Sequence, residues 1–334
     1  MRRQTLRLFT SCFVFLAFLF PTTLIAAPYY EGKTITMIVG HSAGGGYDRL
    51  SRVLAKHLPK HIPGNPTIIV ENMAGASSII ASNHLYNIAK PDGLTIGNFD
   101  RALVYGQLLK AEGIKFDIMK FSWIGSAAVE ATLLCLRSDL PYRTVSDLQK
   151  AKEIHLGCAG PAATDYQFPI LLKEFLKINF NMVIYKGSRE SRLAIERKEI
   201  DGKAGIYGSF RPDIERGVVR PFIRSRVSEP GIENVPVAED LVTNKMGKTI
   251  MAVHAVQDQV SRPYVAPPGT PAETMKILRN AFAKVAEDPE LKRDAEALMM
   301  TLKYVPVDEC LKSYQYILSQ PEDIAKELSK YIKF

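Results

Sequence analysis

The chain has 334 residues, of which 46% are hydrophobic and 23% are charged, and its formal net charge is +8. This length can bury a large core and suits two domains better than one. Basic and acidic residues are interspersed, and aromatic residues make up only 9% of the chain. The composition therefore does not indicate a nucleic-acid-binding protein, in which lysine and arginine cluster on one element.

The first residues predict a cleaved signal peptide. Arg2, Arg3 and Arg7 form a basic start, and residues 8–20 form a mostly apolar segment that leads to small residues ending at Ala27. This segment has the length of a signal-peptide core and is shorter than the roughly 20 residues that span a bilayer. We expect residues 1–27 to be removed, which lowers the net charge from +8 to +5, and the mature protein to be a soluble protein of the periplasm.

Apolar, β-branched runs alternate with amphipathic helical stretches along most of the chain, a pattern that predicts an α/β fold with largely parallel sheets. The strand-like runs are residues 35–39, 67–71, 94–97, 123–127, 132–136, 154–157, 182–185, 203–206, 218–223 and 262–266. After residue 270 the pattern is helical, apart from a short run near 302–305. Residues 270–273 predict a capping box, and Met275, Leu278, Phe282 and Val285 predict one buried helix face.

Two loops rich in small residues follow predicted strands and precede predicted helices. The first spans residues 40–48 and the second residues 157–165. A strand, a glycine-rich bend and a helix together direct free N–H groups and the positive end of the helix dipole at an anion. We expect the two loops to face each other across a cleft between two domains.

The first loop also matches the Gly-x-Ser-x-Gly pattern of serine hydrolases, with Ser42 as the nucleophile. Asp240 and His254 follow it in the chain order of a hydrolase triad. However, the serine would follow the first strand of the sheet, and no upstream loop could supply a second oxyanion donor. A secreted serine esterase is therefore an alternative, whereas the patterns of a P-loop and of a dinucleotide-binding loop do not match.

The cysteines and histidines give little indication of a covalent or metal-bound structure. After removal of residues 1–27 the cysteines are Cys135, Cys158 and Cys310, and none of them forms a CxxC pair. An odd number leaves at least one free thiol, and a disulfide between Cys135 and Cys158 is one option. We predict no metal site and no cofactor.

The chain resembles the substrate-binding receptors of tripartite tricarboxylate transporters, the Bug family. The resemblance rests on six motifs in order: IVGHSAGGGYD (38–48), VENMAGAS (70–77), KPDGLTIG (90–97), YKGS (185–188), EIDG (199–202) and APPGTP (266–271). Each motif alone is weak, but together they cover nearly the whole mature chain. The chain departs from the family pattern at Ala43, where proline is usual, and at Cys158 and Pro161 in the second loop.

The resemblance implies a type II periplasmic-binding-protein fold, with two α/β lobes, two crossing segments and a helical C-terminus. Lobe 1 would contain residues 28–127 and 257–334, and lobe 2 residues 128–256. The function implied is that of a non-enzymatic, monomeric receptor, which delivers a small organic carboxylate to the permease subunits of a membrane transporter. A ligand-sensing input protein is a further alternative.

Ligand-binding residues are expected in three loops, after the first strand, at residues 157–164 and at residues 206–209. Two residues after the third strand, Asn98 and Arg101, are added because ligands gather at the carboxyl ends of strands, where Arg101 could hold a second carboxylate. The expected residues are His41, Ser42, Ala43, Gly44, Gly45, Asp48, Asn98, Arg101, Cys158, Ala159, Gly160, Ala162, Thr164 and Tyr207.

Overall fold

Ten strands form two five-stranded sheets in the computed structural model, which describes residues 27–334. The strands are β1 (Thr34–Val39), β2 (Thr67–Asn72), β3 (Thr95–Asn98), β4 (Ser122–Ser126), β5 (Thr132–Arg137), β6 (Ile154–Cys158), β7 (Phe180–Ile184), β8 (Gly202–Ile206), β9 (Val219–Arg224) and β10 (Pro263–Ala266). The strand orders are β2-β1-β3-β10-β4 and β7-β6-β8-β5-β9. The ten predicted strand-like runs are thus confirmed.

The sheets are mixed rather than largely parallel, which corrects one expectation. In the first sheet β10 lies antiparallel between β3 and β4, and in the second β5 lies antiparallel between β8 and β9. Both exceptions are the strands by which the chain enters a sheet after crossing from the other one. A strand that arrives from the opposite side runs against the strands built from βαβ units, whose crossovers make them parallel.

Thirteen α-helices surround the sheets in the described residues. They are α1 (Gly46–His57), α2 (Ile79–Asn87), α3 (Leu103–Leu108), α4 (Val145–Lys150), α5 (Thr164–Leu176), α6 (Ser188–Glu196), α7 (Tyr207–Glu215), α8 (Ala238–Leu241), α9 (Lys245–Ala255), α10 (Ala272–Glu287), α11 (Pro289–Ala297), α12 (Val307–Leu318) and α13 (Glu322–Tyr331). Short 3-10 helices occur at Leu58–His61, Ala76–Ser78, Ile118–Lys120 and Val256–Val260. The end of the chain after β10 is helical, as predicted.

Helix α10 confirms the predicted apolar face but not the predicted capping box. The four residues of that face are buried. The hydroxyl of Thr270 donates instead to the carbonyl oxygen of Pro267 at 2.8 Å, and Pro271 stands at the N-cap. The predicted run near 302–305 contributes an isolated bridge, between Val305 and Ser126.

The largest buried apolar cluster extends across both sheets. It joins Trp123 and Tyr314, on the side of the first sheet, to Phe168 on the side of the second. Helix α13 contributes to this connection, because the ring of Tyr331 lies 5.4 Å from the ring of Phe175 in α5. The end of the chain therefore packs on elements of both halves.

Three further expectations from the sequence concern the disulfide, the signal peptide and membrane-spanning helices. Cys135, Cys158 and Cys310 are buried free thiols, so the disulfide considered between the first two is not formed. The signal peptide lies outside the described residues, apart from its last position. From residue 27 onward, no helix combines the length and apolar character needed to cross a bilayer.

Candidate ligand-binding site

A cavity of about 490 Å³ lies between the two sheets. From the first sheet it is lined by the loops that follow β1, β2 and β3, and from the second by the segments that follow β6 and β7 and by β8 with the start of α7. These are carboxyl ends of parallel strands, the edge of an α/β sheet at which ligands bind. Helices α1 and α5 both begin at its wall.

The first loop contains four glycines, and three of them show why it fits against its neighbours. A Cβ at Gly40 would lie 2.8 Å from Cβ of Ser78, and a Cβ at Gly46 would lie 2.1 Å from Oγ of Ser209, on the opposite side of the cavity. Gly44 has a φ of +80°, which glycine adopts without strain. The glycines therefore bring the loop close to the second half of the molecule.

The carboxylate of Asp48 organises this loop from within. It accepts hydrogen bonds from the N–H of Gly44 at 2.8 Å and from the side chains of Arg52 and Asn72 at 3.0 and 2.9 Å. Burial opposes the charged form, but these bonds hold the pKa of Asp48 below its usual value. The N–H of Gly44 is used inside the loop, and neither Gly44 nor Asp48 lines the cavity, although both were expected to contact a ligand.

His41, Asp100 and Thr164 form a polar chain along the cavity wall. The His41 ring stacks on Tyr47 with 3.9 Å between centroids, and its Nε2 lies 3.4 Å from Oδ2 of Asp100. From the other side, the hydroxyl of Thr164 donates to Oδ1 of Asp100 at 3.1 Å. Burial would raise the pKa of Asp100, but the hydrogen bond and charge of His41 outweigh it and lower that pKa.

Lys203, which is buried, and Asp165, which is half-buried, place a pair of opposite charges in the same wall. The ammonium of Lys203, which is 3% exposed, donates to the hydroxyls of Ser188 and Ser191 at 3.0 and 3.1 Å. Its distance to Oδ2 of Asp165 is 3.6 Å. Burial raises the pKa of the Asp165 carboxyl, while the charge of Lys203 counteracts this shift.

Five of the expected ligand-binding residues line the cavity: His41, Ser42, Gly45, Ala159 and Thr164. The structure places nine others outside its wall: Ala43, Gly44, Asp48, Asn98, Arg101, Cys158, Gly160, Ala162 and Tyr207. Residues that the sequence reasoning missed include Asp100, Asp165, Ser188 and Lys203. A lysine within an otherwise apolar predicted strand, residues 203–206, was the available signal for the last of these.

Arg101, which was expected to hold a second carboxylate, has its partners inside the protein. It is fully buried, and its guanidinium lies 2.9 Å from the carboxylate of Asp258 and 2.6 Å from the hydroxyl of Thr132. It also donates to the carbonyl oxygen of Glu130 at 3.1 Å. The side chain thus joins the two crossing segments rather than facing a ligand.

Three other polar candidates have partners inside the protein. The amide of Asn98 donates to Oγ of Ser51 at 2.7 Å, and the hydroxyl of Tyr207 donates to the carbonyl oxygen of Pro230 at 2.7 Å. The Cys158 thiol lies 3.6 Å from the carbonyl oxygen of Val183, and burial raises its pKa to about 12. These three side chains therefore bind other groups of the protein instead of lining the cavity.

The serine hydrolase triad is not assembled. Asp240 pairs with Arg226 at 2.5 Å. His254 is buried beside Gln257, with 3.0 Å between Nε2 and the amide nitrogen, and burial lowers its pKa to about 3. In the part of the chain that the structure describes, no hydrogen bond joins Ser42, Asp240 and His254, so Ser42 lacks the base that a nucleophile needs.

His57, Asp288 and Glu290 bring possible metal-ligand atoms within 4.8 Å of one another. The sequence-based prediction of no metal site did not consider that His57 and His61 are four residues apart. However, the ammonium of Lys60 lies 2.5 Å from Asp288 and 2.8 Å from Glu290. The cluster is an ion-pair network between α1 with its following turn and α11, in which lysine supplies the cation.

Comparison with known proteins agrees with this architecture. The family model described as tripartite tricarboxylate transporter family receptor matches residues 50–301. A UPF0065 protein in the gbd 5'region of Cupriavidus necator is 26% identical over 312 residues, which cover 90% of this chain and 87% of that protein.

Two solved structures share the fold. The periplasmic binding protein BugD aligns with a TM-score of 0.75 at 20% identity, covering 91% of this chain and 99% of that one. MatC from Rhodopseudomonas palustris with bound malate aligns with a TM-score of 0.70 at 20% identity, covering 88% and 99%. The predicted periplasmic-binding-protein fold, with two α/β lobes, is thereby confirmed. Since the family model covers most of its length, the chain belongs to the tripartite tricarboxylate transporter family of receptors, which are binding proteins rather than enzymes.

Proposed function

We propose that this protein is a periplasmic receptor that captures a small organic carboxylate in the cavity between its lobes. It then delivers the ligand to the permease subunits of a tripartite tricarboxylate-type transporter. The observation that carries the proposal is that α1 and α5, one from each lobe, begin at the same cavity. The first turn of a helix has N–H groups without intrahelical partners and a positive dipole end, which together favour a carboxylate.

The moving bodies in this proposal are residues 28–127 with 257–334 and residues 128–256, acting within a monomer. Contacts between them support a closed arrangement. Arg211 pairs with Glu296 at 2.8 Å, and Arg49 donates to the carbonyl oxygen of Gly208 at 3.2 Å. Lobe closure around a bound ligand couples affinity to these contacts. Helix α13 packs on α5 of the second body and would limit how far the lobes separate.

MatC, which shares the fold, was solved with malate, and this supports a small acid as the ligand here. The first test is a thermal-shift panel of mono-, di- and tricarboxylates on the mature protein, together with mass spectrometry of co-purified small molecules. Binding to the native state raises the melting temperature. We expect at least one carboxylate to do so, whereas a flat response with no co-purified acid would contradict the receptor function.

Gly187→Ala tests whether binding requires the lobes to close. A Cβ at Gly187 would lie 2.9 Å from Cβ of Ser42, which belongs to the opposite lobe. The backbone of Gly187 is extended, with φ of 178°, so alanine fits the local conformation. We expect Gly187→Ala to weaken ligand affinity at unchanged melting temperature of the free protein, and Ser42→Gly in the same chain to restore part of it.

A further inference from the structure

The cavity wall contains positive and negative side chains. In one pair, Lys203 and Asp165, each side chain has hydrogen-bonding capacity that no group in the described part of the chain uses. The ammonium of Lys203 has three N–H donors, and two of them go to Ser188 and Ser191. For the third, the carboxylate of Asp165 at 3.6 Å is beyond hydrogen-bonding distance. Lys203 therefore keeps one donor for a group in the cavity.

Within residues 27–334, Asp165 also has one polar atom without a hydrogen-bond partner. Its Oδ1 accepts the N–H of Ala159 at 3.0 Å, while Oδ2 has no hydrogen-bond donor among the described residues and faces Lys203 across the 3.6 Å gap. Both residues line the cavity. A ligand that carries a positive and a negative group on neighbouring atoms can supply the missing acceptor for Lys203 and the missing donor for Asp165 at the same time.

The charge balance of the wall disfavours a ligand with two or three carboxylates. Asp100 is a buried acid whose oxygens contact His41 and Thr164, Asp165 is a half-buried acid, and Lys203 is a buried cation 3.6 Å from Asp165. Lys186, which also lines the cavity, is exposed to solvent at the rim. Each additional carboxylate on a ligand would face the carboxylates of Asp100 and Asp165 inside the cavity, where the local dielectric is lower than in water and repulsion is stronger.

The remainder of the wall is apolar. Tyr47, Ile206 and Phe210 are buried side chains that border the cavity, and Ile184 and Tyr185 add apolar surface on the side of the second lobe. Gly205 lets the Phe210 ring pack closely against β8, because a Cβ there would lie 3.2 Å from that ring. The space is suited to an uncharged, apolar ligand body of moderate size.

We propose that the ligand is a zwitterionic amino acid with an uncharged, apolar side chain. Its carboxylate binds the free N–H of Lys203 together with the N–H groups of the loops, and its ammonium binds Oδ2 of Asp165. This inference rests on the proposed receptor function and narrows its substrate class. Asp165 is then the residue that selects an amino acid over the corresponding acid without nitrogen.

The test compares matched ligands by isothermal titration calorimetry on the mature protein. L-phenylalanine and L-leucine are paired with 3-phenylpropanoate and 4-methylpentanoate, and succinate, malate and citrate complete the panel. We expect at least one amino acid to bind 10-fold or more tightly than its partner without the ammonium and than any of the di- and tricarboxylates. Tighter binding of succinate, malate or citrate would overturn the inference while leaving the receptor function intact.

Asp165→Asn gives a second, independent readout. Asparagine keeps the oxygen that accepts the Ala159 N–H but removes the charge, so the preference for the amino acid should fall below threefold. Asp147→Asn is the matched control, because Asp147 also lies in the first turn of a helix and accepts backbone N–H groups, away from the cavity. An unchanged preference in Asp165→Asn would overturn the inference, and so would the absence of binding by both amino acids, whereas the receptor function is tested separately by the thermal-shift panel and mass spectrometry. The wild-type comparison decides the question even if the variant does not fold.

Discussion

Glu229 is a buried carboxyl group that links three parts of the chain. Its two oxygens accept the N–H of Ala131 at 2.8 Å and the hydroxyl of Thr301 at 2.9 Å. Burial, followed by the charge of Glu130, raises the pKa of Glu229 from 4.5 to about 7. Between these two values the native state binds more protons than the unfolded state, so the free energy of unfolding falls as pH rises.

Glu229→Gln should remove this dependence, because glutamine does not titrate; its amide oxygen can accept the Ala131 N–H while its NH2 group donates to the Thr301 hydroxyl. We expect the wild-type free energy of unfolding to fall by on the order of 3 kcal/mol between pH 4.5 and 7 on account of this group, and the variant to lack that contribution. Urea unfolding at pH 5 and pH 8 measures the difference. Glu233→Gln, at an exposed position, is the control. An equal pH dependence in wild type and Glu229→Gln would contradict the prediction.

At the scale of elements, ion pairs connect the start of α11 to the turn that follows α1. Asp288 caps α11 by accepting the N–H of Glu290 at 2.8 Å, and its other oxygen lies 2.5 Å from Lys60 and 2.9 Å from His61. The Lys60 hydrogen bond, followed by that of His61, lowers the pKa of Asp288. A lowered pKa stabilises the native state above the unfolded-state value near 4, and this stability is lost as pH falls through the acid range.

Asp288→Asn retains the capping oxygen and removes the charge. We expect a lower melting temperature than wild type at pH 7 and low salt, with a smaller difference at 1 M NaCl, because salt screens exposed ion pairs. The difference should also shrink as pH falls below about 4, because the Asp288 carboxyl of the unfolded wild type is then protonated while the native one stays charged. The control is Asp323→Asn, in the first turn of α13. A melting-temperature difference that does not respond to salt would show that the ion pairs do not stabilise this contact.

The elements themselves were largely predictable, because strands such as β1 and β6 are apolar runs whose conformation is decided locally. The direction of β5 and β10 was not predictable from such runs, since it depends on the chain crossing between sheets. The same distinction applies to the site. The glycine loop was found from its own sequence, whereas Lys203 and Asp165 are 38 positions apart and meet only in the folded chain. The ion pair of Arg101 with Asp258 was not predictable for the same reason, because the two residues are distant in sequence.

At the scale of the whole molecule, the hydrogen bond from Thr164 to Asp100 joins the two lobes beside the cavity. Its length is 3.1 Å and both residues are buried. Opening of the lobes would break this bond and expose both groups to water. A hydrogen bond to a charged group contributes about 1.5–3 kcal/mol, so it can bias the balance between open and closed states.

Thr164→Val removes the hydroxyl while keeping the shape of the side chain. If the bond supports the closed state, the variant has a smaller closed fraction, and its apparent affinity falls in proportion to that fraction. We expect ligand binding about 10-fold weaker by calorimetry, equivalent to about 1.4 kcal/mol, and a larger radius of gyration of the free protein by small-angle X-ray scattering. Thr249→Val, on the exposed side of α9, should change neither quantity. Weaker binding without a change in the radius of gyration would assign Thr164 to direct ligand contact instead of closure.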